Sequence, residues 1–167
     1  MRGRGPRDDL PAVATSLLTP KRSRPAVTAP RRTRAREIAI QALYRLDVNP
    51  DTSPEEVERF LGARLHGGPL VSFAAGLVSG VGRHRAELDA LLDARSENWR
   101  VARMPATDRA ILRLAAYEIL HTDVPGPVAA NEAIELAKRY GTDASARFVA
   151  GILGRLLAER AAPAAGS

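Results

Sequence analysis

The chain has 167 residues, 45% of them hydrophobic and 26% charged, which suits one globular core and excludes an elastic, collagenous or wholly disordered protein. The absence of cysteine excludes a disulfide scaffold, a thiolate zinc site, an iron–sulfur cluster and a cysteine nucleophile, and suits a reducing cytosol. The net charge of +6 sits at one end: residues 1–34 hold nine Lys/Arg against two Asp, and the rest sixteen against seventeen, so a near-neutral body carries a cationic arm suited to nucleic acid or an anionic membrane surface.

Residues 1 to about 32 contain five of the twelve prolines and show no apolar period, so they are expected to form a disordered basic tail. Leu10 to Leu18 is weakly apolar but is broken by Pro11 and preceded by Asp8 and Asp9, which argues against a secretory signal and weakens a transit peptide. From Thr33 the pattern turns helical. Ala35, Ile38, Ala39, Ala42, Leu43 and Leu46 share one arc of a first helix that Asn49-Pro50 ends. Ser53-Pro54-Glu55-Glu56 then supplies the N-cap, N1 proline and N3 glutamate of a capping box, opening a helix with Val57, Phe60, Leu61 and Leu65 inward.

A third, longer helix is expected over about Leu70 to Ala94, with Phe73, Leu77, Val81, His84, Leu88 and Leu91 in line. Gly76, Gly80 and Gly82 lower its local propensity and point to close helix packing. The longest uncharged run, Gly67 to Gly82, is sixteen residues with five glycines, too short and too polar to span a membrane. Thr107 is expected to cap the next helix, with Asp108 in its first turn, where the helix dipole favours negative charge. Through His121 this helix is apolar over most of its circumference, which marks it as the central one. Pro125-Gly126-Pro127 makes a stiff turn, Val128 to Tyr140 a helix stopped by Gly141, and Asp143 is expected to cap a last helix ending near Arg160. No run alternates with period two. The fold class is therefore all-α, a compact bundle of six or seven helices occupying residues 33–160, with 161–167 a disordered end.

Enzyme chemistry finds few candidates. His66, His84 and His121 are widely spaced and match no local ligand motif, so they read as surface or packed histidines and no metal is expected. There is no phosphate loop, dinucleotide fingerprint or nucleophile elbow. Glu118, between Ile111 and Leu114 on the wheel, reads as a half-buried carboxylate paired with an arginine. Glu132, Glu135, Lys138 and Arg139 read as a solvated ion-pair ladder.

Two aromatics stand apart from the apolar arcs. Tyr44 lies about 170° from the centre of the first helix's arc, and Phe148 about 100° from that of the last, where Arg147 and Arg155 are neighbours. On the wheel Tyr44 faces out. Exposed aromatics beside arginines stack unpaired bases while the cations hold phosphates, and packing against neighbouring helices is the other reading.

Arg31-Arg32-Thr33-Arg34-Ala35-Arg36-Glu37 with Ala39-Ile40-Gln41-Ala42-Leu43-Tyr44 resembles the opening helix of the NusB family of bacterial transcription antitermination factors. The resemblance continues in order through Asp108-Arg109-Ala110-Ile111-Leu112-Arg113-Leu114-Ala115-Ala116-Tyr117-Glu118, Val124-Pro125, Asn131-Glu132-Ala133-Ile134-Glu135-Leu136-Ala137-Lys138 and Arg147-Phe148-Val149. It implies a cytoplasmic, non-enzymatic adaptor of two helical subdomains, with no cofactor. Its implied partners are NusE, a small-subunit ribosomal protein, single-stranded boxA RNA in ribosomal RNA leaders, and elongating RNA polymerase with other Nus factors; a homodimer is left open. By motif position the resemblance assigns Arg31, Arg32, Arg34, Arg36, Gln41, Tyr44, Arg147 and Phe148 to the RNA face and Asp108 to the NusE side. The chain departs from the family's usual Phe-Val-Asn-Gly at Phe148-Val149-Ala150-Gly151, where Ala150 removes an amide that could hydrogen-bond. A similar domain precedes the catalytic part of certain ribosomal RNA cytosine methyltransferases, but their chemistry needs a cysteine that this chain lacks. A protein-only interaction module is the remaining alternative.

Overall fold

The computed structural model describes residues 31–161. Over these the chain forms seven α-helices and no strand: α1 Arg31–Val48, α2 Pro54–Arg64, α3 Gly68–Arg83, α4 Arg85–Arg95, α5 Ala106–His121, α6 Gly126–Tyr140 and α7 Asp143–Ala161, with a single 3-10 turn at Val101–Arg103. The tail through Pro30 and the end from Ala162 lie outside the described residues. The first helix starts at Arg31, two residues ahead of Thr33. None of the described helices is long and apolar enough to cross a membrane. Two compact units divide between Ser79 and Gly80.

In the first unit, α1 packs on α2. The Glu56 N–H donates to Ser53 Oγ at 3.2 Å with Pro54 in the first turn, so the expected cap forms. Thr52 Oγ1 donates to the Asn49 carbonyl at 2.8 Å and closes the preceding turn. Arg45, itself buried, reaches Glu56 at 3.6 Å and ties the two helices together. The turn into α3 requires φ of +100° at Gly67, a conformation that a side chain would strain.

In the second unit, α5 is central as expected, packed against α4, α6 and α7, with Ile111, Leu112, Leu136, Ile152, Leu153 and Leu156 fully buried. Each such side chain contributes about 1.5–3 kcal/mol relative to exposure. Arg113 on α5 holds Asp89 on α4 through two bonds of 2.7 and 2.9 Å. Glu118 is not half-buried but enclosed, at 1% exposure. The solvated ladder on α6 is present as a 3.1 Å pair between Lys138 and Glu135.

Three expectations about helix boundaries also change. The long third helix is two, because His84 leaves helical geometry (φ −105°, ψ 11°) while bonds on either side persist, from its N–H to Gly80 and from Leu88 to its carbonyl. Its imidazole is drawn into a ring cluster with Tyr117 and His121, and the glycines just before it lower the cost of the break. Thr107 is not a cap: it is buried inside α5, whose N-cap is Pro105. Asp143 likewise is the first residue of α7, and Thr142 caps it by accepting the Ser145 N–H at 3.0 Å. The glycine spacing has its expected meaning at one position. A Cβ on Gly80 would fall 2.1 Å from Cζ of Tyr117, so a side chain there would displace the Tyr117 ring, whereas Gly76 and Gly82 face open space.

Candidate nucleic-acid interface

The start of α1 is a cationic surface with an aromatic backing. Arg31, Arg32 and Arg34 are exposed. The Arg32 and Arg36 guanidinium groups lie over the Phe73 ring, 5.0 and 5.4 Å from its centroid, an arrangement that favours both cations electrostatically. Arg34 donates to the buried Glu37 carboxylate at 2.9 Å. Arg36 is only 4% exposed, so the four α1 arginines assigned to the RNA face reduce to three at the surface.

Further along α1, Gln41 is half-buried. Tyr44, expected to face out, is 6% exposed. The wheel assumes one buried face, but Ala35 through Ile40 are buried without a break and Ala42 through Arg45 follow, so this helix has no outer side at Tyr44. Phe73 was legible only as a core position, because its arginine partners lie some forty residues away in sequence.

The start of α7 is built differently. Trp99, Met104, Pro105, Asp108, Ser145 and Phe148 line an apolar cleft of about 400 Å³. Arg147 is exposed and Phe148 half-buried, as its wheel position predicted. Trp99, at 53% exposure, is a large apolar side chain left open, and sequence reasoning missed it because Glu97-Asn98-Trp99-Arg100 has no periodicity to place it. Its segment is nonetheless held: the Trp99 N–H donates to Ser96 Oγ at 3.3 Å, and the Val101 N–H to Asp93 Oδ1 at 2.7 Å.

Asp108, placed in the first turn of its helix and assigned by the resemblance to the NusE side, is only 4% exposed. Ser145 Oγ donates to its carboxylate at 3.1 Å, linking the first turns of α5 and α7. Burial pushes the Asp108 carboxyl above the ordinary range, and the Ser145 hydrogen bond opposes that rise. The structure thus brings Asp108 and Phe148 to one cleft, with Trp99 beside them.

The histidines also group in a way their spacing did not disclose. His66 stands alone in the first unit, but the rings of His84 and His121 stack with centroids 3.9 Å apart and both reach Glu87.

The NusB family model matches residues 33–158. The transcription antitermination protein NusB of Anaeromyxobacter dehalogenans is 46% identical over 127 residues, covering 75% of this chain and 89% of that protein. Its counterpart from Bacillus velezensis is 42% identical over 127 residues, covering 75% and 95%. Among solved structures, T. maritima NusB superposes with a TM-score of 0.71 at 35% identity, covering 78% of this chain and 92% of that one. A chain from the crystal structure of antitermination factors NusB and NusE with double-stranded RNA has a TM-score of 0.70 at 23% identity, covering 77% and 97%, a likeness of fold.

Proposed function

This chain belongs to the NusB family, and we propose on that premise that it is a non-enzymatic, cytoplasmic RNA-binding adaptor of transcription antitermination. In this reading it pairs with NusE, binds single-stranded boxA RNA in ribosomal RNA leaders and joins the elongating polymerase and other Nus factors. The observation that carries the RNA assignment is the half-open Phe148 ring on a cleft beside the exposed Arg147, which supplies a stacking surface and a phosphate contact within one helical turn. Three exposed arginines at the start of α1 add a sequence-independent electrostatic hold.

Arg36 and Tyr44 serve the RNA face from beneath in this reading, Arg36 by filling the Phe73 ring that Arg32 also covers. Asp108 contributes to NusE pairing by fixing the start of α7 through Ser145. The test is boxA RNA affinity of the full chain, alone and with NusE, against a scrambled RNA of equal length. Tighter binding of boxA in the presence of NusE supports the proposal. NusE binding with equal or absent affinity for the two RNAs would leave a protein-only interaction module.

A further inference from the structure

His84 stands at the break between α3 and α4, Glu87 in the first turn of α4, and His121 at the last residue of α5, all in the second unit. His84 Nδ1 lies 3.1 Å from one Glu87 carboxylate oxygen, and His121 Nε2 lies 3.1 Å from the other. One nitrogen of each ring and the carboxylate therefore converge, their donor atoms all within 4.8 Å of one another. Tyr117 packs against both imidazoles, at 5.9 and 5.7 Å between centroids, and is itself seated against Gly80. The two rings are thus held in place by contacts that do not involve the carboxylate.

We propose that His84, Glu87 and His121 form a binding site for a borderline divalent cation, zinc foremost. Two imidazoles and one carboxylate are a donor set that suits zinc, nickel or copper, whereas magnesium and calcium prefer oxygen alone. Zinc binds such nitrogen and oxygen donors at about 2.0–2.2 Å, which places neighbouring ligand atoms of a tetrahedral ion roughly 3.3 Å apart. Each imidazole nitrogen already approaches that separation from a carboxylate oxygen, at 3.1 Å, while all the donor atoms lie within 4.8 Å of one another. The rings are inclined by only 18°, so a bound ion requires them to splay slightly to aim both lone pairs at one point, while the carboxylate exchanges two hydrogen bonds for one metal bond. All three side chains are partly exposed, which leaves water as the fourth ligand. Because the donors come from α4, the α3–α4 break and the end of α5, the ion clips the break to the central helix.

Calorimetric titration of the chelator-treated full chain with zinc chloride, with magnesium chloride as control, tests this. One zinc per chain bound in the micromolar range, with no magnesium uptake, is expected. His84→Ala and His121→Gln should each weaken zinc about tenfold or more, Glu87→Gln should weaken it less, and His66→Ala, changing the one other histidine, should have no effect. Imidazole proton resonances of His84 and His121 should move together as zinc is added to the parent. His121→Gln lies at a helix end, so it remains readable where His84→Ala disturbs folding. Absence of binding by the parent, or binding that His121→Gln leaves unchanged, overturns the proposal.

Discussion

The starts of α1 and α7 use the same ingredients, arginine and an aromatic ring, in opposite order. At α1 the Phe73 ring is overlaid by the Arg32 and Arg36 guanidinium groups, and charge is outermost. At α7 the rings of Phe148 and Trp99 line an open cleft, with Arg147 exposed beside them. A ring already engaged by two cations is less available to a base, so on the proposed reading the first site offers charge and the second stacking. What distinguishes them is which group covers which, and that is invisible in composition.

The largest expected effect belongs to the stacking site. Phe148→Ala should lose roughly 1–3 kcal/mol of RNA binding while leaving the slope of log affinity against log salt nearly unchanged. Fluorescence anisotropy over a salt series, with a melting curve as control, decides it. A variant that binds as well as the parent, or fails only by unfolding, makes Phe148 a core residue and erases the contrast.

The charge site should answer in the opposite sense. Replacing Arg31, Arg32 and Arg34 with alanine together should flatten the salt slope by about 2, since each single-strand phosphate contact contributes about 0.7. An unaltered slope would show that these exposed arginines are solvated and idle.

Arg36→Ala sharpens the comparison inside α1. Its guanidinium is buried against Phe73, so removal should cost stability of about 0.5–2 kcal/mol in urea denaturation while the salt slope changes less than for Arg34→Ala. Equal effects on the slope would return Arg36 to the phosphate-binding set.

The smallest effect is expected at Asp108. Burial raises its carboxyl above the ordinary value of 3.8, so the folded chain holds that proton more tightly than the unfolded chain. The resulting contribution to stability is fully present below the ordinary value and is lost as pH rises through the raised one. Asp108→Asn, which still accepts from Ser145, should remove that pH dependence, as urea midpoints from pH 3 to pH 7 would show. A midpoint profile identical to the parent's would mean that the cleft solvates the carboxylate.

Much of the architecture was legible because helices announce themselves locally. The Ser53 cap, the α1 stop at Asn49-Pro50 and the apolar circumference of α5 each follow from residues within a turn or two of one another. The half-exposure of Phe148 was read the same way, since only one face of α7 is covered there. Tyr44 failed that reading because the middle of α1 is buried around nearly its whole circumference, and Asp108 because its partner Ser145 lies 37 residues onward.

The sequence by itself determined that this chain is helical, where most of its helices begin and end, and which blocks place it in the NusB family. Tertiary structure alone decided which arginines and rings remain open, that the Tyr117 ring sits against Gly80, and that two distant histidines share one carboxylate. The reason is one of range: hydrogen bonding and capping act between residues three or four apart, whereas exposure depends on side chains that only the folded chain brings together.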